Sequence, residues 1–309
     1  MPENRLLKLP SSAVENIRKI YDLDKPGRLE EPINILEEWI KKQDHIVKKD
    51  FSKEYLEKCL ISCKGSVEKT KKQIDRCCTM RTMVPKFFSK TSSKELPVIV
   101  DIIRQVPLPI ITEDFYRVVV FKVTSDNLTA EYFMQYYQYI IIASEYVKAH
   151  DYVNGFIVIH DYNKMNLFDF LSKMNHVELQ QFVSIVTEGY GTRMKSILIL
   201  SESKAIQLLI KTLKQLVSEK IGNRIQVLQS LEDLHRVVPK DILPVEYGGN
   251  ERSLEILHEE WVEELSSEKH VEYMKMMNKA CTDETKRQEG KFNEEYMGMP
   301  GAFRNLSVD

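Results

Sequence analysis

The chain has 309 residues, of which 43% are hydrophobic and 29% charged, and its formal net charge is −2. This length and composition predict a large core divided between two packed units. No apolar run approaches the roughly 20 residues of a membrane-spanning helix, and the opening MPENRLLKLP lacks the apolar stretch of a secretory signal, so we expect a cytoplasmic protein with reduced cysteines.

Charge is unevenly spread along the chain. Lys and Arg outnumber Asp and Glu by 21 to 14 in residues 1–94, whereas Asp and Glu outnumber Lys and Arg by 14 to 8 in residues 251–309. A basic amino-terminal third indicates either an anionic partner or a solvated helical surface. We expect no nucleic-acid partner and no cofactor.

The first third of the chain is predicted to be helical. One helix should begin after Pro32, a second should cover Lys53–Leu60, and a third should cover Ser66–Met83 with Ser66 as its cap. Together these helices would form a small domain that packs on a larger one.

The pattern changes after Pro97. The run Val98–Ile103 fits a helix or a strand equally well, and Pro107 and Pro109 are expected to break whatever it forms. Beyond them, short β-branched runs alternate with helical patterns, which is typical of crossover units in a largely parallel sheet. The predicted strands are Arg117–Val123, Gly155–His160, Ser196–Leu200 and Arg224–Leu228, and the predicted helices are Ala130–His150, Glu178–Gly189, Lys204–Ile221 and Ser253–Asn278.

The usual catalytic motifs do not occur in the sequence. It has no GxGxxG or GxxxxGK[ST] phosphate loop and no GxSxG elbow, and His258-Glu259-Glu260 lacks the second histidine of a zinc protease. His160 and Asp161 end a predicted strand, where α/β enzymes place catalytic groups. A histidine in such a position is more often structural than catalytic, but an enzyme using His160 and Asp161 stays open as an alternative.

Two other patterns indicate binding. Lys204–Ile221 has one wide apolar face, which fits a helix packed on a sheet or a lid over an apolar cavity. Basic pairs precede two successive parallel strands and should therefore meet at one end of the sheet, where they would suit a phosphorylated headgroup or form a solvated rim. These basic residues are Arg193, Lys195, Lys220 and Arg224.

One motif resembles a known family. Asp241–Glu251 reads DILPVEYGGNE, which is similar to the stretch that closes the lipid-binding domain of CRAL-TRIO proteins. Ser218–Ile225 (SEKIGNRI) is similar to another segment of that family, Asp161 stands where many members have an acidic residue, and the ending GAFRNLSVD resembles insect members. The pattern is nearest to the tocopherol-transfer and retinaldehyde-binding branches.

The resemblance implies an α/β fold with three parts. Residues 1–94 would form a small helical domain, and residues 95–250 a lipid-binding domain whose largely parallel sheet floors an apolar cavity. Residues 251–309 would add a helix and an extended polar tail. Lys204–Ile221 would be the mobile gate of the cavity, and the motif at Asp241–Glu251 would be a tight turn with Glu246 and Tyr247 as structural anchors.

The resemblance also implies a function. The protein would take up a tocopherol-, retinoid- or other isoprenoid-like ligand and carry it between membranes, touching the membrane transiently and responding to phosphoinositides through Arg193, Lys195, Lys220 and Arg224. No catalysis is expected. The implied ligand-binding residues are Tyr137, Ser144, Phe182, Ile185, Val186, Ile197, Ile206, Ile210 and Leu213.

Other functions stay open at this point. The protein could sequester its ligand as a chaperone, exchange phospholipids, or act as a signalling module whose acidic tail binds a protein. The identity of the ligand, the oligomeric state and any protein partner are not predicted.

Overall fold

The computed structural model describes residues 5–125 and 132–288. The amino-terminal part is helical, as expected, and Ser66 caps its last long helix by accepting a hydrogen bond from the backbone N–H of Lys69 at 3.4 Å. The second helix begins before Pro32, because proline is tolerated in a first turn. The four helices are α1 (Ala13–Ile20), α2 (Glu30–Lys42), α3 (Lys53–Ser62) and α4 (Val67–Met83).

A five-stranded sheet follows, with its strands in chain order across the sheet. The first pair is antiparallel and the other three pairs are parallel. The expected mixed α/β fold with its four predicted strands is therefore confirmed, and one further strand lies at the edge. The strands are β1 (Ile103–Ile111), β2 (Tyr116–Val123), β3 (Gly155–Asp161), β4 (Met194–Leu200) and β5 (Ile225–Leu228).

The expectation that Pro107 and Pro109 break the chain was wrong. Both lie within β1, which is preceded by the short helix α5 (Pro97–Ile102). β1 is an edge strand with a register shift between Pro107 and Ile111, and such positions tolerate residues that lack an N–H. The carbonyl oxygens of both prolines accept side-chain hydrogen bonds. Trp261 Nε1 donates to Pro107 at 3.0 Å, and Arg117 Nη1 donates to Pro109 at 2.6 Å.

Two long predicted helices are each divided. Lys204–Ile221 is not one helix, because Val217 is extended and the chain turns there to enter β5. Ser253–Asn278 is divided near Ser267, whose hydroxyl accepts from the N–H of His270 and caps a new helix. The remaining helices are α6 (Phe133–His150), α7 (Leu167–Lys173), α8 (His176–Ser184, continued by a π turn to Gly189), α9 (Ile206–Leu216), α10 (Glu219–Gly222), α11 (Leu231–Val237), α12 (Leu254–Leu265) and α13 (Glu268–Asn278).

The motif DILPVEYGGNE forms a tight turn, as expected. Gly248 has φ +69°, and a Cβ on Gly249 would lie 1.9 Å from the carbonyl oxygen of Leu243. The Glu246 carboxylate accepts a hydrogen bond from the first N–H of α12, and the Tyr247 hydroxyl donates to Asp161 at 3.0 Å. Glu246 and Tyr247 are thus confirmed as structural anchors between the sheet and α12.

The last described residues return to the amino-terminal helices. Thr282 pairs with Ile46 in an isolated bridge, and Arg287 donates to Asp75 on α4 at 2.9 Å. The boundaries drawn at residues 94 and 250 stay predictions. Most of the polar arm, including the ending GAFRNLSVD, lies outside the described residues. No helix in the described part of the chain is both long and apolar enough to cross a bilayer.

Candidate functional site: a buried cavity beside a basic cleft

A cavity of about 210 Å³ lies on one face of the sheet, over β1 to β3. Residues paired between neighbouring strands point to the same face, so the register defines the floor. One row runs from Gln105 through Phe121 to His160, and the next runs from Pro107 through Val119 to Val158. The floor is therefore mostly apolar, with two polar side chains in one row.

Helices α6 and α8 supply the wall that faces the floor. The α6 residues in the wall recur every three or four positions, so one stripe of the helix faces the cavity. Phe182 of α8 and Val186 of the π turn complete this wall. The α6 residues are Tyr136, Ile140, Ala143, Ser144, Val147 and Lys148.

His160 is a neutral group in this floor. Its ring stacks on Phe121 with 5.1 Å between centroids, and its Nδ1 lies 3.1 Å from the Tyr162 hydroxyl. Burial lowers the pKa of His160 to about 4, because the charged imidazolium would lose its hydration. At neutral pH the ring therefore offers one donor and one acceptor and carries no charge.

A second cleft, of about 430 Å³, adjoins the cavity. The two share five lining residues, among them Ser62 of α3 and Arg193 before β4. Eight cationic side chains line the cleft, and Glu188 is the one acidic residue among its described lining residues. Half of the cations come from the helical part and half from the sheet domain: Lys64, Lys69, Lys72 and Arg76, and Arg193, Lys195, Lys220 and Arg224.

The cations concentrate positive potential in the cleft. Arg76 forms an ion pair with Glu188, and the Arg193 guanidinium lies 5.1 Å from the centroid of the Tyr21 ring. The positive charges of Arg193 and then Lys220 lower the pKa of the exposed Lys64 ammonium, since protonating it adds a like charge nearby. This arrangement suits a polyanionic group better than a single carboxylate.

Comparison with known proteins finds a family model that matches the part of the chain containing strands β2 to β5. Residues 111–249 match the model of the CRAL/TRIO domain. This match covers a little under half of the chain. Residues 25–95, which include α2 to α4, match the model of a Pinta-like UBA domain.

Curated relatives match about a third of this chain. The alpha-tocopherol transfer protein-like protein of Mus musculus is 32% identical over 107 residues, which are 33% of this chain and 30% of that protein. The Homo sapiens protein of the same name is 31% identical over 107 residues, with the same coverage. The crystal structure of Sfh5 aligns over 88% of this chain and 99% of its own, with a TM-score of 0.47 and 12% identity, a likeness too slight to support an argument.

The cavity is lined by some of the predicted ligand-binding residues. Ser144, Phe182 and Val186 line it. Tyr137 lies behind the wall, stacked on Phe182 at 4.5 Å between ring centroids. The other predicted residues belong to the surrounding hydrophobic core and do not line the cavity: Ile185, Ile197, Ile206, Ile210 and Leu213.

All four predicted phosphoinositide-binding residues line the basic cleft. Sequence reasoning missed the four cations that the helical part adds, because a basic helix surface more often faces solvent. It also missed Gln105, since the two prolines after it argued against a strand. The observed pairing of β1 with β2 places Gln105 beside Phe121.

Asp161 is held by contacts within the fold. Tyr247 donates to the Asp161 carboxylate, and Lys122 lies 3.7 Å from the same oxygen. No cluster of three or more His, Cys, Asp or Glu side chains suited to a metal ion occurs among residues 5–125 and 132–288.

Proposed function

We propose that this protein binds a small hydrophobic ligand in the cavity and carries it between membranes. The observation that carries this proposal is a mostly apolar cavity that directly adjoins a cleft lined by eight cationic side chains. The CRAL/TRIO domain and the relatives named for tocopherol transfer support the same function. No step of it requires catalysis.

The lining favours an apolar ligand that is held by shape. Val119, Phe121 and Val158 offer a hydrocarbon floor, so a ligand leaving a bilayer exchanges one apolar environment for another. The net hydrophobic free energy of this exchange is small. Selectivity then depends on the fit of the cavity and on a few polar contacts.

The cavity must enlarge to hold a tocopherol- or retinoid-sized ligand. Its volume of about 210 Å³ is below the roughly 300–1,000 Å³ typical of ligand pockets. We propose that it extends toward α9, where Ile206, Ile210 and Leu213 pack against the core. Movement of α9 would place these three residues against the ligand and make this helix the gate.

Apolar side chains near the gate support transient contact with a membrane. Leu208 of α9 is 49% exposed and Phe168 of α7 is 64% exposed, and the two helices are in contact. Such residues partition into the interfacial region of a bilayer. An anionic headgroup held in the basic cleft would add an electrostatic attachment to the same membrane.

We propose a phosphoinositide as the anionic lipid. Lys64, Lys69, Lys72, Lys195 and Lys220 all line the cleft, and none of them has an acidic partner among the described residues. A phosphorylated inositol ring would supply several phosphates to these ammonium groups. Binding there would bias α9 toward opening only if the open state holds the headgroup more tightly.

Transfer between vesicles tests the carrier function. Donor vesicles that contain α-tocopherol, retinol or farnesol are mixed with acceptor vesicles, and the rate of transfer is measured with and without protein. We expect wild-type protein to accelerate transfer of at least one probe, and Ala143→Phe to abolish this by filling the cavity from α6. Ala149→Phe is the matched control, because Ala149 is on the same helix but does not line the cavity.

If Ala143→Phe still accelerates transfer of the probe between vesicles, transport through this cavity is contradicted. Transfer of phospholipid alone would identify a phospholipid exchanger instead. A probe that binds tightly, leaves slowly and is not transferred would indicate a sequestering chaperone.

A further inference from the structure

One stretch of wall separates the cavity from the basic cleft. Ser62 of α3 and residues 191–194, which lead into β4, line both of them. All five of these residues are half-buried. A single layer of residues therefore stands between the cavity and the cleft, and a gap in this layer would join the two.

The wall is made of small residues where its two sides meet. Gly191 has φ +64°, in the left-handed region that favours glycine. A Cβ at this position would lie 3.2 Å from the Ser62 hydroxyl oxygen and 2.2 Å from Nε2 of Gln73. The backbone of the segment 191–194 thus packs directly on α3 and α4, and a small shift of α3 would part Ser62 from Gly191.

The helical part holds this segment at two points and leaves the wall between them without a hydrogen bond from Ser62. Gln73 Nε2 donates to the carbonyl of Tyr190 at 2.6 Å, and Arg193 donates to the Tyr21 hydroxyl. The hydrogen bonds of the Ser62 hydroxyl stay within the helical part. The wall is therefore closed by contact alone at Ser62, and it can open when the helical part moves on the sheet domain.

The cavity is closed more firmly toward α9. No described residue of α9 lines it, and Ile206 and Leu209 of that helix are 6% and 1% exposed. Moving α9 would expose these apolar side chains to water, which is unfavourable, whereas Ser62 and Gly191 have no apolar side chain to expose. The wall beside the cleft is therefore the easier way in for a ligand that fits the cavity without enlarging it.

We propose that a ligand enters and leaves the cavity through the wall between Ser62 and residues 191–194, and so passes through the basic cleft. This portal is a second route beside the α9 gate. An anionic headgroup that fills the cleft would contact the same five residues, so the cargo and the headgroup meet at the portal. The inference rests on the proposed function and specifies the path that the cargo takes.

The test measures how fast the neutral dye N-phenyl-1-naphthylamine enters and leaves the full-length protein, by stopped-flow fluorescence. Thr192 lines both the cavity and the cleft, so Thr192→Trp places a large side chain in the portal. We expect association and dissociation to slow by the same factor, about tenfold, which corresponds to forcing one large side chain out of its preferred rotamer. The dissociation constant should stay unchanged, because a side chain in the path raises the barrier for both directions.

Two further variants make the result specific. Thr187→Trp is the matched control and should leave both rates unchanged, because Thr187 is half-buried like Thr192 and lines the cleft but not the cavity. Met194→Ala removes a side chain from the portal and should speed both rates. Opposite effects from filling and from emptying the same wall would not follow from a general loss of stability, and Met194→Ala decides alone should Thr192→Trp fail to fold.

The outcomes separate the two proposals. If the dye binds but Thr192→Trp and Met194→Ala exchange it at the wild-type rate, this inference is overturned and the carrier function stands with α9 as its gate. If Thr192→Trp and Thr187→Trp slow exchange equally, the cleft and not the wall hinders the dye, and the inference is likewise overturned. If the dye does not bind wild-type protein, or binds Ala143→Phe as tightly, the proposed function and this inference both fail.

Discussion

Removing two lysines from the basic cleft should weaken binding to phosphoinositide membranes about thirtyfold. Lys195 and Lys220 both line the cleft and are exposed, so replacing each with alanine should leave the fold intact. A basic side chain near an anionic membrane contributes about 1 kcal/mol. Two such losses sum to about 2 kcal/mol, which is roughly thirtyfold in affinity.

The assay is cosedimentation with vesicles that contain phosphatidylinositol bisphosphate, at low and at high salt. Lys53→Ala combined with Lys240→Ala is the matched control, since both lysines are exposed and lie outside the cleft. The control changes the net charge equally, so it measures the non-specific part of the effect. The difference between the two double variants should shrink at high salt, because the Debye length falls to about 3 Å at 1 M.

Equal binding by wild type, the cleft variant and the control would refute the reasoning. It would mean that the cations of the cleft do not face the membrane. An equal loss in both double variants would instead show that net charge, and not the geometry of the cleft, attracts the vesicles.

Three further predictions concern the fold around the site. Arg81→Met should lower the free energy of unfolding by about 3–5 kcal/mol in urea titrations, because it leaves the buried Glu145 carboxylate without its cation; an unchanged value would contradict the role of this ion pair. Gly249→Ala should prevent normal folding, seen as loss of a cooperative melting transition, since a Cβ there would lie 1.9 Å from the Leu243 carbonyl. Burial lowers the pKa of His160 to about 4 from an ordinary value of 6.5, so the unfolded chain binds more protons between those values and stability should fall as the pH falls from 6.5 to 4. His160→Gln should make this dependence less steep without removing it, because burial also lowers the pKa of His150, His258 and His270 to about 4. An equally steep loss in the variant would contradict a contribution from His160.

The parallel part of the sheet could be predicted from the sequence because its strands are short β-branched runs separated by helical patterns. The edge strand β1 could not, since Pro107 and Pro109 suggest a break, and the partners of their carbonyls, Trp261 and Arg117, come from distant parts of the chain. The division of the predicted helix Lys204–Ile221 at Val217 depends on the path into β5, which local periodicity does not report.

The cleft was more predictable than the cavity. Two pairs of cations that precede neighbouring parallel strands lie at the same end of the sheet, because parallel strands begin at the same edge. This placement does not depend on the side-chain conformations. The cavity lining depends instead on the rotation of each helix: α6 presents Ser144 to the cavity but places Tyr137 behind Phe182. The added cations of the helical part depend on long-range docking, such as the hydrogen bond from Gln73 to the carbonyl of Tyr190 at 2.6 Å.

The most direct test of the central claim is mass spectrometry of organic extracts from the protein after it has been incubated with lysate of its native tissue and purified again. The account predicts one enriched lipophilic molecule, present in wild type and in Ala149→Phe and lost from Ala143→Phe. An extract with no enriched lipophilic molecule, or with the same molecules in wild type and Ala143→Phe, would contradict ligand binding in this cavity.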